Sequence, residues 1–383
     1  MSPIRVREPF VSQARRALIA LPLAASILSA CATVGPTVAT PEIEAFEKIL
    51  RAKSARFFID QNLRLHIVGT RLLKALPERE QRERAPYLGL LVGEATETLA
   101  DTFGVPKRDG VLILGVAPGG PADRAGLRVG DYLETIGPLT MTAPEDLAAL
   151  AEGEIKGPTP VGVRRGDMLL DASIEIEYLP LNVALNVVED DAVDAFATQG
   201  AITVTTGMLR FLRTDDELAV VVGHELAHIT KRHSLGRIGM ALPSVVLGVL
   251  AGVIVPGSQR IVASLIEKAV VNLIRGALTK VDRDMEREAD VFGLLYAHSA
   301  GYDPRAAGVV WERFAVELPR SMTASLFAVH PASSERLIRI QKMTDSLLSS
   351  VYARAMLEEL ETLEISSSSD HTADSDLLDP SLH

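Results

Sequence analysis

What the chain has little of narrows its function first. One cysteine in 383 residues excludes a disulfide framework and any CxxC zinc or redox site. There is no excess of positive charge: 39 basic side chains face 50 acidic ones, a formal net charge of −11. Phosphate binding needs a clustered positive field, so nucleic acid is excluded as a partner. Internal repeats are absent, and the composition is not that of a disordered or collagen-like chain. Hydrophobic residues make up 47% and charged residues 23%, ordinary globular usage that can bury a core. At this length two or three domains are expected.

The first 31 residues carry an address. Arg5, Arg7, Arg15 and Arg16 precede an uncharged, mostly apolar stretch from Ala17 to Ala30, the order of a secretory signal. Its 14 residues fall short of the roughly 20 that a spanning helix needs. The stretch runs into LSAC, which holds the only cysteine, Cys31, and the following ATVGPTVATPE has no periodicity and reads as a tether. LSAC resembles the lipobox of bacterial lipoproteins, which implies removal of residues 1–30 and acylation of Cys31. Removal takes away four basic groups and one acidic group, so the net charge moves by three, from −11 to −14. The expectation is a body facing the periplasm of a bacterial cell envelope, held to the lipid bilayer by buried CH₂ groups at about 0.8 kcal/mol each. Ala32 after the cysteine implies, on the same resemblance, the outer membrane.

Residues 41–78 carry apolar side chains at helical spacing (Phe46, Ile49, Leu50, then Phe57, Phe58, Leu63, Leu72), which predicts two helices. From Pro86 to Tyr178 short runs such as VLILGV and IEIEYL, broken by Gly and Pro, predict a separate small β-rich domain. Within it YLGL (Tyr87, Leu88, Gly89, Leu90), GGPADRAGL and Gly130-Asp131 follow one another in an order that resembles a PDZ domain. The resemblance implies that the Tyr87–Leu90 loop offers backbone N–H groups to a terminal carboxylate while the peptide adds a strand to a sheet edge. A degenerate groove with ordinary turns is the competing reading.

Beyond Leu181, GHELAHITKRH contains HExxH. A helix puts His224 and His228 one turn apart on one face, so two imidazoles can hold one Zn²⁺. Glu225, rotated by about 100°, then stands beside the open position as a base. A catalytic zinc needs a third protein ligand, and EREAD at 286–290 supplies Glu286 on a second predicted helix. Asp290, four residues on, can accept a hydrogen bond from the far ring nitrogen of a ligand histidine. A solvated charged helix is the plain alternative for DRDMEREAD; it explains Arg283, Asp284 and Arg287, but not an acidic i, i+4 pair followed by apolar VFGLL. One Zn²⁺ per chain is expected.

HExxH followed by ExxAD resembles the HtpX-like and BepA-like zinc metallopeptidases, the family 48 gluzincins that include the CAAX prenyl proteases. The resemblance runs from about Leu181 to Gln341. It implies His224, His228 and Glu286 as zinc ligands, Glu225 as the base and Asp290 behind a ligand. It further implies that DAFATQGAITVTTGML holds the substrate edge strand (Ala195, Phe196, Ala197), and that AVHPASSERL is the late HP segment. Asp194 stands where the family commonly has Asn, and Gln199-Gly200-Ala201 where it has a PGG-like turn; both departures touch the substrate strand and not the metal. His330 is a candidate oxyanion donor or a cap on the open zinc position, with Arg336 as a second catalytic candidate. A helix-start histidine before Pro331 and a surface arginine are the competing readings. His233, five residues past His228, leaves the metal-facing stripe and reads as packing.

Ile238 to Gln259 is a run of 22 residues without a charge, long enough for a transmembrane helix. One crossing would put ligands of one ion on opposite sides of a bilayer, and Pro243, Gly248, Gly252 and Pro256 interrupt the run. A helical hairpin packed in protein or dipping into the membrane surface is expected instead. The acidic, Ser-rich end is expected to be disordered.

The expected chain is α+β: signal peptide 1–30, tether and N-terminal helices 31–84, PDZ domain 85–179, a zincin-like metallopeptidase domain 180–345 with a small sheet, and a helix end with an acidic tail at 346–383. Its expected function is a membrane-anchored zinc endopeptidase that cleaves misfolded or unassembled envelope proteins, with envelope assembly machinery as a candidate partner. The alternative is a PDZ scaffold or assembly chaperone that cleaves little; an intact Glu225 argues against it, since structural zinc sites usually have four protein ligands and no poised acid. An intramembrane prenyl-protein protease lacks the spans it needs.

Overall fold

The computed structural model describes residues 36, 38–153, 155–198, 200–233, 253–254, 280–318 and 334–349. The signal segment with Cys31, the apolar run Ile238–Gln259 apart from Val253 and Ile254, His330 and the tail from 350 onward lie outside the described residues. The chain divides into two units, residues 1–50 and 51–383.

Helix α1 (Thr40–Lys74) is one continuous element of 35 residues, where two helices were expected. RAKSARF at 51–57 contains neither glycine nor proline, and a run of helix formers without a breaker propagates. In the second unit Phe58, Leu65 and Leu72, seven residues apart, are buried together with Ile59, Val68 and Leu73. They join one core with Leu112 and Leu114 and with Leu218, Leu226 and Phe292.

The middle of the chain builds β1 (Ala85–Tyr87), β2 (Leu90–Glu94), α2 (Glu97–Phe103), β3 (Val111–Val116), the single-turn α3 (Pro121–Arg124), β4 (Tyr132–Ile136) and β5 (Leu139–Thr140). A 3-10 helix, Pro144–Glu152, precedes β6 (Pro158–Arg165), β7 (Met168–Glu175) and β8 (Glu177–Leu179). Strands β2, β3, β4, β6 and β7 are successive antiparallel neighbours, and β1 pairs antiparallel with β8. Val92, Ile113, Leu133, Ile136, Leu147 and Ile174 fill a second core of their own. The Gly130-Asp131 turn is pinned by Asp131, whose carboxylate accepts from Arg165 Nε (2.7 Å) and Nη2 (2.8 Å) and from the Arg128 N–H (2.8 Å).

The third part contains β9 (Ala184–Val188), β10 (Ala195–Thr198), β11 (Ala201–Thr205), α4 (Thr206–Phe211), α5 (Asp215–Thr230), β12 (Val253–Ile254), α6 (Lys280–Ser299), α7 (Ala306–Glu317) and α8 (Ser334–Leu348). Strand β11 lies between β9, to which it is parallel, and β10, to which it is antiparallel. That leaves β10 at the edge of a three-stranded sheet. Strand β12 pairs in parallel with β2, Val253 opposite Val92 and Ile254 opposite Gly93. Among the described residues no helix is long and apolar enough to cross a membrane.

Candidate metal centre

Local sequence sets where α5 begins. Thr214 caps it, its hydroxyl accepting from the Glu217 N–H (3.2 Å), and Asp215, Asp216 and Glu217 fill the first turn, where negative charge meets the positive end of the helix dipole. Glu217 is buried and receives two hydrogen bonds of 2.7 Å from Arg313 of α7. Burial pushes its carboxyl up, but the Arg313 bonds and the Arg213 N–H outweigh that and hold it below the usual range. Arg64 of α1 grips the same end, donating to the Leu212 carbonyl (3.1 Å) and the Thr214 carbonyl (2.6 Å). At the other end Arg82 donates to the Thr230 carbonyl (2.8 Å).

Two glycines let α5 and α6 touch. A Cβ on Gly223 would stand 2.7 Å from the Gly293 carbonyl oxygen, and one on Gly293 would stand 2.7 Å from the His224 nitrogen. A glycine inside a helix costs up to about 1 kcal/mol relative to alanine; here it permits a backbone approach that no side chain allows. The crossing lays His224 and His228 against Glu286 and Asp290.

Three donors converge there. His224 Nε2 lies 3.2 Å from His228 Nε2 and 3.4 Å from Glu286 Oε2, and His228 Nε2 lies 3.3 Å from Glu286 Oε1. Ligands about 2.0–2.2 Å from a tetrahedral zinc stand roughly 3.3–3.6 Å apart, so these spacings, two of which end on different oxygens of Glu286, are compatible with donors to one such ion. Among the described residues this is the cluster of three donors that could hold a metal ion. Its charge balance also favours a cation. Burial lowers the affinity of His224 for a proton, yet hydrogen bonds to Asp290 and Glu286 overcome burial and push its pKa up to about 9.

Asp290 lies behind His224, its Oδ1 3.2 Å from Nδ1. Burial raises its carboxyl, but the Arg336 charge and the His224 bond win and leave it below the usual carboxylate range. Arg336, for which a surface position was one reading, is only 5% exposed. Its Nε and Nη2 donate to Asp290 at 3.0 and 2.7 Å, its Nη1 is 3.5 Å from Glu286, and its guanidinium stacks 4.8 Å from the Trp311 ring centroid. Glu225, 3% exposed, adds its charge to those acting on Arg336.

The remaining candidates are spread over the chain. Ala195, Phe196 and Ala197 are on edge strand β10, which lies against α5. Tyr87, Leu88, Gly89 and Leu90 join β1 to β2, with Gly89 at φ +72°; the loop is fixed by the Ala122 N–H donating to Leu88 O (2.9 Å) and the Ala117 N–H donating to Gly89 O (2.8 Å). Leu147, Leu150 and His66 line a cavity with that loop.

Sequence reasoning missed the glycine crossing and misread His233. His233 Nδ1 lies 3.1 Å from His228 Nδ1, and its Nε2 is 3.0 Å from Glu288 Oε2. On an unbroken helix a residue five positions on points about 140° away, but α5 ends at Thr230 and the chain turns back. The H-x4-H spacing was the available signal; the helix stop was not visible in it.

Residues 165–344 match Peptidase family M48, and residues 112–165 match the PDZ domain family. The chain is 33% identical over 153 residues to the mitochondrial metalloendopeptidase OMA1 of Arabidopsis thaliana, covering 39% of this chain and 29% of that protein. It is 29% identical over 164 residues to the metalloprotease LoiP of Escherichia coli, covering 42% and 62%. It is 26% identical over 156 residues to a putative beta-barrel assembly-enhancing protease of Vibrio cholerae, covering 39% and 32%. The chain thus spans less than two thirds of the length of each of these relatives. The glycine-crossed pair of helices with its His-His-Glu cluster lies within the segment that matches Peptidase family M48, and the segment that matches the PDZ domain family precedes it.

Proposed function

We propose that the chain is a zinc-dependent endopeptidase in which His224, His228 and Glu286 hold the ion and Glu225 is the general base. The observation that carries this reading is the donor triangle, with edges of 3.2 to 3.4 Å on two crossed helices. Zinc, when bound, supplies Lewis acidity to a scissile carbonyl and acidifies water. Glu225 accepts the proton of the attacking water and delivers it to the leaving amine. Asp290 takes the Nδ1–H of His224 and so keeps the Nε2 lone pair facing the cluster. Arg336 neutralises Asp290, and its three hydrogen bonds to that carboxylate make it a positioning residue in this proposal. A substrate segment pairs with the edge of β10 at Ala195, Phe196 and Ala197. The oxyanion is assigned to His330. The products are two peptides, with no covalent enzyme intermediate.

The PDZ domain, assigned to 85–179 ahead of a peptidase domain at 180–345, takes chain ends at the Tyr87–Leu90 loop. Its ligands would add along β2, the edge where β12 pairs, so peptide and β12 compete for one strand. The substrates are envelope proteins, and the anchor is an acylated Cys31. The signal-then-LSAC order supports that location, as does a relative named as a beta-barrel assembly-enhancing protease.

The test is zinc content together with casein cleavage for the wild type and Glu225→Gln. The wild type is expected to hold about one Zn²⁺ and cleave; the variant is expected to hold the ion while its kcat falls by about 10²–10⁴-fold. A wild type that binds no zinc would sink the proposal.

A further inference from the structure

The two histidines of the cluster are backed by different chemistry. His224 has a buried carboxylate directly behind it, with Asp290 3.2 Å from Nδ1. The far nitrogen of His228 meets another imidazole, His233, whose second nitrogen meets Glu288. We propose that His233 and Glu288 are positioning residues for His228, a two-member relay that fixes its tautomer as Asp290 fixes that of His224. The inference rests on the reading of His224, His228 and Glu286 as metal ligands.

Hydrogen bonding allows one consistent assignment. If His228 offers its Nε2 lone pair to an ion, its proton is on Nδ1 and is donated to His233 Nδ1 across 3.1 Å. His233 must then carry its own proton on Nε2, which donates to Glu288 Oε2 across 3.0 Å. Each imidazole stays neutral, and the negative end of the relay is the carboxylate. A histidine behind a ligand is useful only if its outer nitrogen has an acceptor, and Glu288 provides one.

The backbone is bent to make this contact. Helix α5 ends with the Arg232 N–H donating to Ile229 O (3.1 Å) and the His233 N–H donating to His228 O (3.0 Å), the paired bonds of a Schellman turn, whose pivot is usually glycine. Here the pivot is Arg232 at φ +59°, the one non-glycine with positive φ among the described residues. A left-handed arginine is disfavoured by its Cβ, and residues held in such conformations cluster at functional sites. The turn gives His233 two holds on His228: its N–H on the carbonyl and its ring on the ring. The surroundings fix the turn as well, since Lys231 pairs with the buried Glu80 (2.9 Å) and stacks on Phe292 (3.5 Å to the centroid).

The experiment measures Zn²⁺ affinity of the full chain by chelator competition, with Co²⁺ spectra as a second readout. His233→Ala is expected to weaken zinc binding by about 10–100-fold, and His233→Asn, which keeps an amide acceptor near Nδ1, to recover most of it. Glu288→Gln is expected to give a smaller loss and to add nothing to His233→Ala, because Glu288 acts through His233. Arg232→Gly should leave affinity at the wild-type value, since glycine keeps the turn. Glu288 is 45% exposed at its side chain, so its variant keeps the test open if His233→Ala fails to fold. Wild-type affinity in Glu288→Gln, or losses that add in the double variant, would overturn the relay. A wild type that binds no zinc would instead overturn the metal reading itself.

Discussion

Behind the His-His-Glu triangle stand Asp290, Arg336, His233 and Glu288, carried by α6, α8 and the end of α5, with Asp290 and Arg336 no more than 5% exposed. Along the β2 edge of the PDZ domain, by contrast, the described partner is the two-residue strand β12, held by backbone pairing. The centre is therefore overdetermined by charge and volume, because a buried ion without its partner pays a desolvation penalty that no relaxation removes. A strand edge is specified by main-chain hydrogen bonds that one extended segment can make as well as another. Substitutions should be severe at the first and graded at the second.

The sharpest test of that contrast is Arg336→Ala, which leaves Asp290 buried without its cation. A loss of about 3–5 kcal/mol is expected in denaturant unfolding, and adding Asp290→Ala should restore part of it. If the single variant unfolds like the wild type, the centre is not held by this pair.

Next comes the helix crossing. Gly293→Ala should destabilise by about 1–3 kcal/mol through overpacking and weaken zinc binding, because the added methyl pushes α6 off His224. Gly308→Ala in α7, where a Cβ would meet nothing within 4 Å, is the matched control and should be neutral or stabilising. Equal melting temperatures for the two variants would contradict the close approach.

At the groove, Gly89→Asp places a carboxylate where a terminal carboxylate is expected to bind and should weaken C-terminal peptides by about tenfold, ~1.4 kcal/mol, in fluorescence anisotropy. Gly89 sits at φ +72° with Gly120 Cα 3.3 Å from a would-be Cβ. Gly89→Ala is therefore needed to separate strain from charge. Matching losses in the two variants would remove the carboxylate from the explanation. Cleavage of short internal peptides should not change in either variant.

A further effect, of pH, concerns His66 at the cavity beside that loop. Burial lowers its pKa to about 4, and the hydrogen bond to the Leu185 backbone offsets this only in part. Between pH 6.5 and about 4 the unfolded chain binds a proton that the folded one does not. Stability should therefore fall as pH drops through that window, by a slope of at most one proton, and be flat with respect to this group above it. The slope should shrink in His66→Gln; an unchanged slope would show that His66 titrates freely.

Much of the molecule could be read in advance because its signals are local. HExxH and ExxAD each lie on one helix, so the 3.6-residue repeat already places His224 with His228 and Glu286 with Asp290. The PDZ segment announced itself through turns at Gly89 and Gly130. The misses share a cause, since each depended on where a helix stops or what it meets. One helix replaced two at 40–74 because nothing in RAKSARF breaks it. His233 came back to His228 because α5 ended in a left-handed arginine, which no pattern of apolar residues encodes. Arg336, 46 residues beyond Asp290, became its counter-ion through the packing of α8.

By itself the sequence determined the chemistry available: two imidazoles at helical spacing with Glu225 next to the first, two carboxylates at helical spacing on another segment, and a PDZ-like loop. Each follows from the local geometry of its own segment. Only the tertiary structure decided that the two helices approach closely enough for spacings of 3.2 to 3.4 Å between His224, His228 and Glu286, because that distance is set by Gly223 against Gly293, 70 residues apart in the chain. It also decided which charges balance one another. Partners for buried ions are chosen by burial, and burial belongs to the assembled core rather than to any one segment.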